Sequence, residues 1–138
     1  MAIVQTQTTS FKTELYQGVH NLTTDVLFIA LYTAAASLDA NTTVYSTNNE
    51  ASGTGYVPGG VQLTGVTVSY SGYTAFVSFA NVNFGASLAN VRGALLYNTS
   101  KGNKSIAVLD FGADKTSANF TIIMPGNTAT TALIRSSN

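Results

Sequence analysis

From Val61 onward, apolar residues recur at alternate positions in short runs, and Gly, Pro, Asn or Ser separates one run from the next. "VTVSY" sets Val66, Val68 and Tyr70 against Thr67 and Ser69. Side chains of a strand point alternately to its two faces, so this spacing predicts β-structure. Ser71-Gly72 is predicted as a two-residue turn. "YTAFVSFA" then returns, with Tyr73, Ala75, Val77 and Phe79 on one face and Phe76 on the other. Val91 to Tyr97 and Ser105 to Phe111 form a second antiparallel pair across the loop Asn98 to Lys104. "NFTIIMP" and "TATTALIRSS" supply two more strands. Further upstream, "VLFIALYT" (Val26 to Thr33) is apolar throughout, as a strand covered on both faces would be. "TTVYS" at residues 42–46 is a weaker strand, and "NNEASGTGYVPGG" (Asn48 to Gly60) is dense in turn formers and predicts a long loop. Eight or nine short strands predict an all-β fold, a jelly-roll or Greek-key β-sandwich or barrel.

One helix is expected near the start. Ser10 can cap it, Phe11, Leu15 and Val19 share a face, and Gly18 suits its end. A turn is expected around Ala34 to Leu38, with a second, shorter helix as the alternative. Residues 1–10 are expected to form an arm, as an edge strand, as a segment reaching a neighbour or as a mobile tail, and residues 11–138 a single domain. A domain of this length buries roughly two-thirds of its unfolded surface.

Charge separates this chain from ordinary domains. Only 9% of its residues are Asp, Glu, Lys or Arg, against about 25% usually. Six cations balance six anions. There is no basic stripe, so nucleic acid is not an expected partner. Zero net charge favours association. The polar residues are largely Thr, Ser and Asn, which can lie against another protein without burying an ion. The composition therefore predicts a molecule that lives in an assembly. There is no cysteine, hence neither disulfide nor thiolate chemistry. "MAIVQTQTTS" lacks the pattern of a signal peptide. "VLFIALY" is too short to span a bilayer, so no membrane role is expected. The Asn-x-Ser/Thr sequons at Asn21, Asn41, Asn98, Asn103 and Asn119 fit a composition rich in Thr and Asn.

Several motifs suggest chemistry and fail on context. Gly102-Asn103-Lys104-Ser105 lacks the first glycine of a phosphate loop and leads into a strand rather than a helix. Asp110-Phe111-Gly112 matches the kinase metal triplet, without the other kinase motifs. Lys101 and Lys104 read as a solvated hairpin tip, and Asp110 as a turn residue bonding local amides through Asp114. His20 is the single histidine. No nucleophile elbow accompanies it, so it reads as a capping or packing group. Asp39, Glu50, Asp110 and Asp114 show no spacing that pairs them for glycoside chemistry, and two carboxylates are too few for calcium. The chain is expected not to be an enzyme, and no cofactor or metal is expected.

Two stretches together resemble small virion structural proteins of tailed bacteriophages: "FKTELYQGVHNLTTDVLFIALYTAAASLDANTTVYSTNNEASGTGYVPGGVQLTG" and "RGALLYNTSKGNKSIAVLDFGADKT". The resemblance runs from residue 11 to about residue 135. Its most specific parts are "IALYT", "NEASGTGYVPGG" and "VLDFGADKT". It implies a capsid cement or decoration protein, made in the host bacterial cytoplasm and bound to the outer capsid surface. The implied partners are the major capsid protein and a second copy of the chain, as a homodimer or a trimer. The residues expected to touch those partners lie in the arm, the weak strand and the long loop: Ile3, Val4, Tyr45, Tyr56, Val57 and Pro58, with Tyr56 as aromatic anchor. Two other readings are a neck, tail or fibre-base component, which copy number would separate, and a carbohydrate-binding attachment module, which a glycan array would reveal.

Overall fold

The computed structural model describes residues 2–137. The order is β1 (Thr6–Gln7), α1 (Thr9–Tyr16), β2 (Leu27–Thr33), β3 (Gly53–Thr54), β4 (Val61–Gln62), β5 (Thr67–Ser71), β6 (Thr74–Ser78), β7 (Val82–Asn83), β8 (Ser87–Asn98), β9 (Lys104–Ser117), β10 (Thr121–Ile122) and β11 (Ile134–Ser136). The chain is all-β and sandwich-like, with one short helix near its start, as its pattern predicts. Strands β1-β9-β8-β2-β4 form the main antiparallel sheet, and β3 also pairs with β8. Two smaller sheets, β11-β6-β5 and β10-β7, complete the fold. Among the described residues, no helix is long and apolar enough to cross a membrane.

Strand β2 explains why its sequence is apolar throughout. Leu27, Ile29 and Leu31 enter the larger core, which also holds Phe11, Val77, Phe79, Phe84, Leu96, Ile106, Phe120 and Ile134. Ala30 and Tyr32 enter a second core on the opposite face, with Ile3, Ala36, Leu38, Leu95, Tyr97 and Val108. The small sheets and α1 contribute to the first core. The second is closed by the chain's N-terminal residues and the segment after β2.

Of the forms expected for the arm, that arrangement shows the edge strand. Ile3 is buried. The Val4 amide donates to the Leu38 carbonyl at 2.9 Å, and Thr6 and Gln7 pair with Val108 and Ala107 of β9. The segment is built into the domain because Ile3 is needed to cover the outer face of the main sheet; Met1 lies outside the described residues. The helix cap moves. Thr8, not Ser10, caps α1, its hydroxyl accepting from the Phe11 amide at 3.3 Å. Thr8 is fully buried and also receives the Ser105 hydroxyl at 2.9 Å, which ties the cap to β9.

Ala34 to Leu38 forms the expected turn and not the alternative helix. Other expectations shift by smaller amounts. Residues 42–46 make only one bridge, Val44 to Lys104. The β5–β6 turn is Gly72-Tyr73, one residue later than expected, since Ser71 pairs with Thr74. Gly72 has φ 58°, which suits the first central position of a type II′ turn. Strand β9 continues to Ser117, where a turn was expected. Its pairing jumps from Gly93↔Asp110 to Val91↔Lys115, which leaves residues 111–114 bulged.

Candidate functional site

Two long stretches carry no Asp, Glu, Lys or Arg: Ala51 to Val91 and Thr116 to Ile134. Strands β3, β4, β5, β6, β7 and β10 all lie within them, so the two smaller sheets hold one charged side chain, Arg135 of β11. Of the ten exposed large apolar side chains among the described residues, Val57, Val68, Tyr70, Tyr73 and Ile123 also lie there, while Val4, Leu15, Tyr16, Val26 and Val44 lie elsewhere. Three of the former share the β5–β6 hairpin. Val68 and Tyr70 are two residues apart on one face of β5 and are 53% and 79% exposed. Tyr73, at the turn, is 88% exposed. Alternation in "VTVSY" marks these positions as one face, shared with Val77 of β6, but does not say that on β5 they are left exposed. The larger core takes Val77 and Phe79 from the returning strand, and Phe76 is buried too. The signal the pattern overlooks is the absence of charge over the whole neighbourhood.

The long loop is held by a carboxylate. Glu50 accepts from the Tyr45 hydroxyl at 2.6 Å, the Tyr56 hydroxyl at 2.5 Å and the Gly59 amide at 2.8 Å. The Tyr56 hydroxyl also accepts from the Leu31 amide at 3.0 Å, and so stands where a neighbouring strand would otherwise satisfy β2. Tyr97 donates to the Gly59 carbonyl at 2.5 Å and stacks on Tyr45, with centroids 4.6 Å apart and 14° between planes. Tyr32 donates to the Ser46 carbonyl at 2.6 Å. Burial, and then Glu50, pushes the phenols of Tyr32, Tyr45, Tyr56 and Tyr97 upward, that of Tyr97 to about 12. Charge-assisted bonds of this kind are the strong ones, and together they make the turn-rich segment a fixed part of the surface.

This clasp sorts the expected contact residues. Val57, 69% exposed, and Pro58 stand out at its tip. Tyr56 is half-buried, and its hydroxyl points inward and completes β2. Tyr45 is half-buried and engaged with Glu50 and Tyr97. Val4 is exposed, while its neighbour Ile3 belongs to the second core. The structure thus leaves Val4, Val57 and Pro58 open, and neither core among the described residues includes them. Glu50 was missed as a hub because a lone carboxylate in a loop gives no sign of its partners.

The suspected chemical residues have internal partners. The Asn98 amide group donates to Nδ1 of His20 at 2.9 Å and to Asp25 at 2.8 Å. With Nδ1 accepting, Nε2–H of His20 donates to Glu14 at 2.8 Å. His20 therefore joins α1 to the end of β8 as a packing group. Burial opposes ionisation of Asp25, but the Asn21 amide, the Asn98 side chain and Lys101 outweigh it, and its carboxyl sits below the usual range. Lys101, expected as a solvated tip, lies 3.5 Å from Asp25. Asp110 accepts from the Gly112 amide at 2.9 Å and from Arg92 at 3.2 Å, and both lower its carboxyl. Among the described residues, no three His, Cys, Asp or Glu side chains gather as a metal site would require.

Comparison with protein-family models, with curated proteins and with solved structures finds no match for this chain. The functional reading rests on the residues themselves.

Proposed function

We propose that this chain is a structural subunit of a larger particle, and that its uncharged surface is covered there by neighbouring proteins. The observation that carries the reading is the exposure of Val57, Val68, Tyr70, Tyr73 and Ile123 within the two stretches of sequence that contain no charged residue. An interface core is depleted in charge and enriched in aromatic residues, and this surface has both properties. The sequence resemblance to small virion proteins of tailed bacteriophages supports a particular particle, the mature phage capsid. There the chain would sit outside the shell, bridge neighbouring major capsid protein subunits and resist the pressure of packed DNA.

The mechanism is mechanical. An interface of ordinary size removes about 800 Å² from each partner. Covering apolar side chains across a subunit seam adds free energy that must be given back before the seam opens. The Glu50 clasp contributes by pre-ordering the Val57-Pro58 tip, so less conformational freedom is lost on binding. Repetition over a symmetric shell makes a modest affinity per site sufficient. The test is co-sedimentation of purified chain with expanded shells that lack it. Saturable binding at hundreds of copies per shell is expected; absence of binding overturns the capsid reading, and about a dozen copies moves the chain to the neck or tail.

A further inference from the structure

We propose that β5 is the edge along which two copies of this chain join, antiparallel, about a two-fold axis passing beside Ser69. The proposal rests on the reading of the uncharged surface as an assembly surface and names one of its occupants.

Exposed strand edges invite pairing, and folded proteins blunt them by shortness, charge, proline or bulges. The other edges of this molecule follow that rule. Strands β1, β4, β7 and β10 are two residues long. Strand β11 carries Arg135, whose carbonyl is taken by the Gln7 side-chain amide at 3.0 Å. Strand β5 is five residues long, pairs with β6 without a register shift, and contains neither charge nor proline. It is the last strand of its sheet, so its outer side has no strand partner among the described residues.

The register of that outer side is set by the hairpin. Ser71 and Thr74 flank a two-residue turn and form a hydrogen-bonded pair, and so do Ser69 with Phe76 and Thr67 with Ser78. The N–H and C=O groups of Val68 and Tyr70 therefore point away from β6. If a second β5 runs antiparallel and Ser69 meets its own copy, Val68 faces Tyr70 of the other chain. Four backbone hydrogen bonds then form between outward-facing groups. The side chains complement each other in the same register: Val68 lies against Tyr70 on each side of the axis, a β-branched–aromatic pair of the kind that stabilises sheets. A two-fold contact brings each surface group near its own copy, and like charges would repel there. No charged residue between Glu50 and Arg92 is present to do so. The six strands β11-β6-β5-β5-β6-β11 would form one continuous sheet.

Size sets the strength. A tyrosine covers about 150–250 Å² when buried. Tyr70, Tyr73, Val68 and the strand backbone together would remove on the order of 500 Å² per chain, at the small end of specific interfaces. A reversible dimer in the micromolar range is expected.

Sedimentation velocity of the full chain across concentration provides the test, with three variants. Tyr70→Lys should weaken the dimer at least tenfold while leaving the circular dichroism spectrum unchanged. Val68→Glu combined with Tyr70→Lys should restore it, because residue 68 faces residue 70 of the other copy. Tyr16→Lys, on the exposed helix, should leave the dimer intact. Amide exchange in the unmodified chain gives a reading free of mutation: Val68 and Tyr70 should gain protection as concentration rises. A monomer at all concentrations, or a dimer indifferent to Tyr70→Lys and without new protection at these amides, overturns the proposal. Shells bound by a chain that stays monomeric overturn the dimer and keep the capsid reading. A β5 dimer that ignores shells keeps the dimer and removes the capsid reading.

Discussion

Replacing Tyr56 by phenylalanine removes one oxygen and disconnects two elements. The hydroxyl accepts from the Leu31 amide at 3.0 Å and donates to Glu50 at 2.5 Å. Leu31 is fully buried, so its amide loses a partner that water does not readily replace, at a cost of about 1–3 kcal/mol. The bond to the Glu50 carboxylate is worth about 1.5 kcal/mol, the lower end for a charged acceptor, because Glu50 is half-buried and keeps Tyr45 and Gly59. The ring of Tyr56 stays in place against Phe84. The sum is about 3 kcal/mol, or a fall in Tm of about 10 °C for a domain of this size. Thermal unfolding followed by circular dichroism reads it, with Tyr70→Phe as control. The control should stay within about 0.5 kcal/mol, since that hydroxyl lies at an exposed position. A Tyr56→Phe melting temperature within about 2 °C of the unmodified chain would refute the clasp and leave the loop unanchored.

Further perturbations test other parts of the account. Gly60→Ala should destabilise by about 3 kcal/mol or more in urea unfolding, since a Cβ there would sit 1.8 Å from the Ile29 carbonyl oxygen at φ 84°; an unchanged midpoint would contradict the close approach of the loop to β2. Alkali should destabilise the chain. Unfolded phenols ionise near pH 10, whereas Tyr97 holds its proton to about 12, so the folded state binds more protons in that window. Stability is then present below about pH 10 and is lost as pH rises towards 12, by up to about 1.4 kcal/mol per pH unit for Tyr97, with Tyr32, Tyr45 and Tyr56 acting in the same direction. A stability flat across that window in urea titrations would refute the burial of these phenols. Deleting residues 2–9 should lower the melting temperature as well as any binding, since it removes Ile3, β1 and the Thr8 cap; a truncated chain as stable as the original would restore the picture of a free arm.

The parts of the fold legible in the sequence are those decided locally. "VLFIALYT" reads as a doubly covered strand because both of its faces are apolar, and both enter cores. The β5–β6 hairpin is legible from alternation and a glycine, but its turn slips by one because Gly72 takes the first central position, not the second. That β5 is left largely exposed while its partner β6 is mostly buried is a tertiary matter, and alternation does not speak to it. The sequence leaves the edge strand and a free arm undecided for a similar reason: Ile3 gains its burial from Leu38 and the far face of the main sheet, not from its neighbours. The site was less legible still. Glu50 is one carboxylate in a loop of turn formers, and its role depends on Tyr45, Tyr56 and Gly59 folding round it. His20 meets Asn98, 78 residues away in sequence, and no local pattern signals that contact.

The central claim is that the uncharged surface is the covered one. Side-chain-resolution imaging of the assembled particle tests it most directly. The account predicts that Val57, Val68, Tyr70, Tyr73 and Ile123 lose their exposure to neighbouring chains while Lys12 and Lys115 stay in solvent. Neighbours packed on the charged elements, with the β5–β6 hairpin left bare, would contradict it.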